Sequence, residues 1–193
     1  MRAVERLPLL VITGPTAAGK SELALRLAER LGGEILSADS AQVYRCLDSG
    51  TAKPSTAERR RVRHHLIDLI DPDRRFSVAD FQRLADRAAA DACARGNLPI
   101  LVGGTGLYLR AVIQRFHFEP LDPDPELRRR LHERARAQGV PVLHRQLAQV
   151  DPAAAERIHP NDERRIVRAL EVYLRTGRRI SELQTAAPER SPY

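Results

Sequence analysis

The chain has 193 residues, 42% hydrophobic and 30% charged, which excludes a disordered chain and predicts one soluble globular domain, with or without a sizeable insertion. No apolar run of about 18 residues occurs, so no transmembrane helix or membrane partner is expected. The two cysteines, Cys46 and Cys93, lack metal-ligand spacing and favour a cytoplasmic protein. The 32 Lys and Arg residues against 25 Asp and Glu residues give a net charge of +7, compatible with a polyanionic partner but also with an arginine-rich genome.

The first part of the chain predicts strands and helices in alternation. Short apolar runs predict strands buried on both faces of a parallel sheet, and leucines four residues apart predict the first helix. A later helix begins after Ser77, where Asp80 completes a variant of the capping box. The predicted strands cover residues 9–13, 34–37 and 99–102, and the predicted helices cover 20–31, 77–95 and about 107–114. This order predicts an α/β fold with a parallel sheet and flanking helices.

The pattern changes at a proline-rich stretch, residues 119–125 (EPLDPDP). Three prolines within six residues disfavour both helix and strand, so this stretch predicts a boundary. Beyond it no strand-like run occurs, and helical patterns cover about 126–138, 141–149, 152–158 and 162–176. We therefore expect an α/β core over residues 1–118 and an all-helical insertion domain over 119–193, with the remainder of the core missing.

The stretch Gly14–Ser21 (GPTAAGKS) lies between a predicted strand and a predicted helix, which is the context of a phosphate-binding P-loop. Its glycines let the backbone curl so that N–H groups point at an anion, and the helix start adds partial positive charge. The Lys20 ammonium can bridge phosphate oxygens, and the Ser21 hydroxyl can ligate Mg²⁺. The predicted phosphate-binding residues are Gly14, Pro15, Thr16, Ala17, Ala18, Gly19, Lys20 and Ser21. This motif predicts a P-loop NTPase-like fold with a polyphosphate ligand, and alone it favours a nucleotide kinase or NTPase.

Polar residues follow the ends of two later strands. Asp39 comes after the second predicted strand, and Gly103-Gly104-Thr105 comes after the third. Because the carboxyl ends of parallel strands meet at one edge of a sheet, both are expected to face the mouth of the P-loop. A carboxylate beside phosphates binds them poorly but accepts protons well, so Asp39 indicates deprotonation of an incoming nucleophile.

Six stretches, in chain order, resemble the tRNA dimethylallyltransferase family, also called tRNA isopentenyltransferases. Besides the P-loop with Thr16, they are residues 37–55 (SADSAQVYRCLDSGTAKPS), 64–72 (HHLIDLIDP), 76–81 (FSVADF), 100–111 (ILVGGTGLYLRA) and 157–173 (RIHPNDERRIVRALEVY). The resemblance covers nearly all of the chain. It is specific, because D-S-A-x-x-Y and G-T-A-K-P are not general features of P-loop proteins.

The resemblance implies transfer of a dimethylallyl group from dimethylallyl diphosphate to N6 of adenosine 37 in the anticodon loop of certain tRNAs, with release of diphosphate. The P-loop and Mg²⁺ would then hold an isoprenoid diphosphate, and Asp39 would take the proton from N6. By the same resemblance, Asp39 and Thr105 are the catalytic candidates, and Thr16 and Thr105 hydrogen-bond the substrates. The residues expected to contact tRNA are Asp39, Ser40, Ala41, Gln42, Thr105, Arg128, Arg164, Arg165, Ile166, Val167 and Arg168.

The predicted helix 162–176 has a charged side and an apolar side. At about 100° per residue, Arg164, Arg168 and Arg175 lie together, with Glu171 beside them, opposite the apolar side chains. A solvated helix face and a basic stripe that faces tRNA phosphates both fit this pattern, and the resemblance favours the stripe.

Other functions stay open at this point. They are a nucleotide-kinase-like phosphotransferase that binds ATP, an adenylate isopentenyltransferase acting on a free nucleotide, and a non-catalytic RNA-binding module. The basic helical part favours tRNA over a free nucleotide. Members of the family usually continue beyond the length of this chain, so the 193 residues alone are expected to be a monomer with weak activity or none.

Overall fold

The computed structural model describes residues 6–115, 121–185 and 191–193. These residues form two compact units, the first from 6–115 with 191–193 and the second from 121–185. The last residues belong to the first unit, where the Leu7 N–H donates to the Pro192 carbonyl at 2.7 Å and the Tyr193 hydroxyl donates to Asp86 at 2.9 Å. In chain order, the second unit therefore interrupts the first.

The first unit contains a four-stranded parallel sheet with the strand order β1-β4-β2-β3. Its strands are β1 (Leu10–Thr13), β2 (Gly33–Ser37), β3 (His64–His65) and β4 (Leu98–Gly103). Its helices are α1 (Lys20–Leu31), α2 (Thr56–Arg61), α3 (Val78–Ala94) and α4 (Gly106–Gln114). This sheet with its flanking helices confirms the predicted α/β fold.

The alternating direction of side chains along the strands explains why helices cover both faces of the sheet. Successive side chains of a strand point to opposite faces. Ile35 and Ile100 pack with buried residues of α1, whereas Leu36 and Leu101 pack with buried residues of α3 and α4. All four side chains are at most 5% exposed, which accounts for the continuous apolar runs in the sequence.

Local signals define the ends of the main helices. Gly19 and Gly32 flank α1 in left-handed conformations, with φ of 74° and 64°. At the start of α3, Ser77 accepts from the Asp80 N–H while the Asp80 side chain accepts from the Ser77 N–H. The predicted capping box is therefore confirmed. The elements α2 and β3 were not predicted.

All the helices and strands that the structure describes in the second unit, over residues 121–185, are helices. Its helices are α5 (Pro125–Gln138), α6 (Val140–Val150), α7 (Pro152–Arg157), α8 (Glu163–Thr176) and α9 (Ile180–Thr185). They surround a core that includes Leu143, Leu147, Ile166 and Leu170, all fully buried. Across both units, none of the helices described has the length and apolar composition needed to cross a bilayer.

A buried carboxylate joins three elements at the amino-terminal end of β2. The Glu34 side chain is 3% exposed and receives two hydrogen bonds from Arg95, at 2.9 and 2.7 Å, one from Asn97 at 2.8 Å and one from His65. The hydrogen bonds from Arg95, helped by those from Asn97 and His65 and opposed by burial, lower the pKa of Glu34 to about 2. Glu34 thereby ties β2 to β3 and to the turn between α3 and β4.

At the carboxyl-terminal end of β2, the backbone of the chain comes into close contact with that of β4. The Ala38 N–H donates to the Val102 carbonyl at 2.7 Å, and the Ala38 carbonyl accepts from the Thr105 N–H at 3.2 Å. A Cβ atom on Gly103 would lie 2.2 Å from the Ala38 carbonyl oxygen, so only glycine fits there.

This contact predicts that Gly103→Ala destabilises the fold. Because the added methyl group meets backbone that cannot give way, we expect a loss of about 1–3 kcal/mol in the free energy of unfolding, measured by urea denaturation. Gly106→Ala is the matched control, since a Cβ at Gly106 meets nothing within 4 Å and alanine favours a helix. Equal free energies of unfolding for the two variants would contradict the claim that only glycine fits at position 103.

The Glu34 cluster predicts a pH-dependent effect of Arg95→Met. A carboxyl whose folded pKa of about 2 lies below its ordinary value of 4.5 stabilises the fold above pH 4.5, and this contribution disappears as the pH falls through 2. At pH 7 we expect Arg95→Met to cost about 3 kcal/mol, because it leaves a buried carboxylate without its main partner. The difference from the unaltered chain should shrink between pH 4.5 and 2.

Arg83→Met is the control for this measurement. Arg83 lies on α3, the helix that precedes Arg95, but the side chains of its ion pair with Asp80 are exposed, at 70% for Arg83 and 43% for Asp80. Its loss should change the free energy of unfolding by less than about 1 kcal/mol. If Arg95→Met changed the free energy of unfolding as little as Arg83→Met does, or by an amount independent of pH, the stabilising role of the Glu34 cluster would be contradicted.

Candidate functional site

The P-loop connects β1 to α1 and presents backbone N–H groups at the start of that helix. Ala17 and Gly19 both take left-handed conformations, with φ of 65° and 74°, which turns successive N–H groups to one side. No side chain caps α1 at Gly19. The first N–H groups of the helix are therefore available to an anion.

Two side chains of the P-loop motif supply further groups. The Lys20 ammonium folds back over the loop and donates to the Pro15 carbonyl. The Lys20 chain passes over Gly14, where a Cβ atom would lie 3.8 Å from Lys20 Cδ. The Ser21 side chain is exposed, and its hydroxyl makes no hydrogen bond to any residue that the structure describes. The loop thus offers a cation and a hydroxyl beside the N–H groups.

Asp39 follows β2 and is held in one orientation. Its Oδ1 atom accepts from the Ala41 N–H at 2.8 Å and, more weakly, from the Gln42 N–H at 3.4 Å. Within the described part of the chain, Oδ2 makes no hydrogen bond. One oxygen therefore fixes the carboxylate, and the other remains available to accept a proton.

Thr105 links the ends of β4 and β2. Its hydroxyl oxygen accepts from the Ser40 N–H at 3.1 Å, and a Cβ on the neighbouring Gly104 would lie 3.9 Å from the Gly14 carbonyl oxygen. Because β4 lies between β1 and β2 in the sheet, these contacts bring the P-loop, Thr105 and Asp39 to the same edge. The site thus combines an anion cradle with an oriented proton acceptor.

The residues of the predicted RNA-contacting stretch Asp39–Gln42 differ in how exposed their side chains are. Ser40 is exposed and Ala41 half-buried. The Gln42 side chain is buried and uses its amide within the protein, accepting from the Ser37 hydroxyl at 2.7 Å and donating to two carbonyls, at 2.9 and 3.0 Å. The Gln42 amide therefore holds the turn, and the expected contact of Gln42 with RNA stays a prediction.

Glu171 lies where the helical pattern placed a solvated charge, but it is fully buried. Helix α5 covers this part of α8. Arg128 donates two hydrogen bonds to Glu171 at 2.8 Å, Arg168 donates one at 2.6 Å and the Asp124 N–H one at 2.8 Å. Burial would raise the pKa of Glu171, but these bonds outweigh it and lower the pKa to about 2.

The predicted tRNA-contacting residues of α8 also separate into two groups. Arg164 and Arg165 are exposed, with Arg165 in an ion pair with Asp162 at 3.4 Å. Ile166 and Val167 are at most 2% exposed and belong to the helical core. Their side chains pack inside the helical unit, and the expected contacts of these two residues with RNA stay predictions.

Arg128 and Arg168 remain 30% and 37% exposed beside Glu171. Arg175, the third arginine of the predicted stripe, donates to the Asp122 carbonyl. Arg164 is thus the member of the stripe that makes neither an ion pair nor a side-chain hydrogen bond with the residues that the structure describes.

One buried residue near the site was not identified from the sequence. Lys53 is 3% exposed and bonds to the turn that follows Asp39. Lys53 belongs to the G-T-A-K-P stretch, which can be recognised in the sequence. The pattern of residues around it does not indicate that the lysine side chain is buried.

The chain is similar in sequence to known proteins over most of its length. A family model described as IPP transferase matches residues 42–193. A tRNA dimethylallyltransferase of Geobacter metallireducens is 56% identical over 186 residues, covering 96% of this chain and 60% of the relative. One from Symbiobacterium thermophilum is 55% identical over 182 residues, covering 94% and 57%. This chain thus spans about 60% of the length of these relatives.

Solved structures are also similar to this chain. A full-length tRNA isopentenylpyrophosphate transferase from Bacillus halodurans is 49% identical, with a TM-score of 0.58 over 89% of this chain and 57% of that one. A eukaryotic dimethylallyltransferase acting on tRNA is 31% identical, with a TM-score of 0.74 over 94% and 46%. The resemblance drawn from the six motifs is confirmed: the chain belongs to the IPP transferase family.

Proposed function

We propose that the protein transfers a dimethylallyl group from dimethylallyl diphosphate to N6 of adenosine 37 in the anticodon loop of certain tRNAs and releases diphosphate. The observation that carries this proposal is the P-loop at the end of β1 together with a carboxylate with one free oxygen after the end of β2, at the same edge of a sheet in which β4 lies between these two strands. Family membership and the named activities of the relatives support the same reaction.

The P-loop suits diphosphate as a leaving group. When the bond between carbon 1 of the donor and its diphosphate oxygen breaks, negative charge grows on the diphosphate. Uncapped N–H groups at the start of α1 and the Lys20 ammonium are fixed where they stabilise that charge. No water needs activation, which distinguishes this use of the loop from that of an NTPase.

Mg²⁺ fits the residues present at the loop. The described residues contain no cluster of three or more acidic, His or Cys side chains able to hold a metal. Mg²⁺ commonly takes few protein ligands and fills its sphere with phosphate oxygens and water. The exposed Ser21 hydroxyl would supply one ligand beside the diphosphate. Bound there, Mg²⁺ would neutralise charge on the diphosphate.

Asp39 would make the adenine N6 amine a competent nucleophile. The lone pair of N6 is delocalised into the ring, so the amine attacks well only if its proton leaves as the N–C bond forms. Asp39 Oδ2 is free to accept that proton while Oδ1 stays fixed by the Ala41 and Gln42 N–H groups. The carboxylate thereby also orients N6 toward carbon 1 of the donor.

The helical unit would bind the anticodon stem. We propose that the first unit, residues 6–115 with 191–193, forms the catalytic core and that the second unit, residues 121–185, is a tRNA-binding insertion, in which exposed Arg164 and Arg165 contact phosphates. Arg128 and Arg168, oriented by Glu171, would add to this surface. Bases in an anticodon loop are single-stranded, so moving adenosine 37 out of its stack costs little.

Replacing Asp39 by asparagine tests the proton transfer. The amide side chain keeps an acceptor for the Ala41 N–H but cannot take a proton, so Asp39→Asn should slow prenyl transfer by about 10²–10⁴-fold and leave the Kd for the anticodon stem-loop unchanged. The measurement is single-turnover transfer from labelled dimethylallyl diphosphate with Mg²⁺, followed by nucleoside analysis.

Asp91→Asn, which alters an exposed carboxylate on α3, is the control and should keep full activity. Unchanged transfer by Asp39→Asn would contradict the proposed role of the carboxylate. Transfer of phosphate from ATP by the unaltered chain would contradict the proposed function itself.

Reversing the charge of Arg164 and Arg165 tests the RNA surface. The double variant Arg164→Glu and Arg165→Glu should weaken anticodon stem-loop binding on the order of tenfold and lower the slope of log Kd against log salt by about 1–2. The control double variant, Arg136→Glu and Arg145→Glu, makes the same change in charge at exposed residues of α5 and α6. Equal losses in both would show a nonspecific charge effect and contradict the assigned surface.

A further inference from the structure

The G-T-A-K-P motif contains a lysine that the proposed chemistry does not use. The Lys53 side chain is only 3% exposed, although lysine is rarely buried unless it is paired. It lies in the segment between Asp39 and α2, and its ammonium group bonds only within the protein. Its burial therefore needs another explanation.

The Lys53 ammonium has an acceptor for each of its three N–H donors. It donates to the Tyr44 carbonyl at 2.7 Å, to Asp48 at 2.9 Å and to Asp68 at 2.7 Å. Burial would lower the pKa of Lys53, but the hydrogen bonds with Asp68 and Asp48 outweigh burial and raise the pKa above its ordinary value. Asp68 is in turn paired with Arg59 at 2.8 Å. The ammonium is thus charged and fully bonded.

These acceptors belong to two separate segments, which also pair through their backbones. The Asp68 N–H donates to the Gln42 carbonyl at 3.0 Å, the Leu69 N–H to the Val43 carbonyl at 2.7 Å, and the Arg45 N–H to the Ile70 carbonyl at 2.8 Å. Lys53 bonds to both segments where they meet. It therefore connects the turn 39–45 to the segment 66–70.

The same turn carries Asp39. The Gln42 N–H is one of the two groups that hold Asp39 Oδ1, and the Gln42 side chain bonds to the carbonyl of Ala52, the residue before Lys53. Non-glycine residues on either side of the contact, among them Ala52 and Asp68, take left-handed conformations with φ of 48° and 55°. Such conformations persist only where surrounding contacts hold them.

We propose that Lys53 is a positioning residue for the transfer reaction: its ammonium group fixes the turn 39–45, so that the free oxygen of Asp39 keeps its direction toward the adenine amine. This inference rests on the proposed function, in which Asp39 accepts the proton. Lys53 touches neither substrate and acts through the turn. Losing its ammonium therefore affects the orientation of the carboxylate and leaves the P-loop unchanged.

The test compares Lys53→Met, Lys53→Arg and the control Arg61→Met in the whole chain. Met keeps the length of the side chain without its donors, Arg keeps the charge, and Arg61 makes an exposed ion pair with Glu29 away from the turn. Asp48→Asn, which alters one partner that is 76% exposed, is a milder variant in case Lys53→Met does not fold. Three quantities are measured: amide hydrogen exchange, Kd for inorganic diphosphate, and kcat with KM for prenyl transfer.

The proposal predicts that Lys53→Met speeds exchange of the Ala41, Gln42 and Asp68 amides at least about tenfold, with β1 and β4 amides unchanged. It also predicts a fall in kcat on the order of 10²-fold, with KM for dimethylallyl diphosphate and Kd for diphosphate changed less than about threefold. Lys53→Arg should restore part of kcat, Asp48→Asn should show a smaller effect in the same direction, and Arg61→Met should change nothing.

Unchanged exchange at the turn overturns the proposal, and so does a uniform rise in exchange across the sheet, which is what a merely structural lysine would give. An equal loss of kcat and of diphosphate affinity also overturns it. If neither this chain nor a version extended to the length of its relatives transfers a prenyl group, while Lys53→Met still loosens only the turn, the proposed function fails and the fixing of the turn by Lys53 stands.

Discussion

The contact between Ala38 and Gly103 is the constraint on which the site depends. The Ala38 N–H donates to Val102 of β4 at 2.7 Å, the Ala38 carbonyl accepts from the Thr105 N–H at 3.2 Å, and Gly103 has no space for a side chain. Because β4 lies between β1 and β2, this contact places the P-loop on one side of Thr105 and Asp39 on the other. The chemistry that we propose requires this arrangement, since the leaving group and the proton acceptor must lie on either side of one reacting carbon.

Three buried charged side chains stabilise junctions between elements. Glu34 joins β2 to the turn before β4, Lys53 joins the Asp39 turn to residues 66–70, and Glu171 joins α5 to α8. Each is at most 3% exposed, and each is bonded to at least one partner of opposite charge and to further polar groups. Removing a single partner from such a cluster is costly, because the remaining charge stays buried. The clusters therefore give each junction one geometry.

Several elements could be predicted from the sequence because their signals are local. Helix α1 follows a complete P-loop motif, α3 begins with a capping box, and three strands are apolar runs. In contrast, α2 has no buried residue and so shows no apolar period, although Ser55 and Glu58 form a capping box there. Strand β3 has two residues, too few for a pattern, and exists through its pairing with Ile35 and Leu36.

Within the site, the sequence was informative about types of residue and less so about their burial. Gly14–Ser21, Asp39 and Thr105 follow strand ends, and strand ends can be read from local patterns. The burial of Glu171 depends on coverage by α5, and that of Gln42 depends on the residues around Thr51 and Ala52. Such burial arises from segments distant in sequence, which a helical wheel or a motif does not contain.

The most direct test of the central claim is a crystal structure with a non-cleavable analogue of dimethylallyl diphosphate and an anticodon stem-loop. The account predicts diphosphate oxygens on the N–H groups of Gly14–Ser21, and the N6 amine about 3 Å from Asp39 Oδ2, in line with carbon 1 of the analogue. Diphosphate bound elsewhere, or an Asp39 carboxylate directed away from the adenine amine, would contradict it.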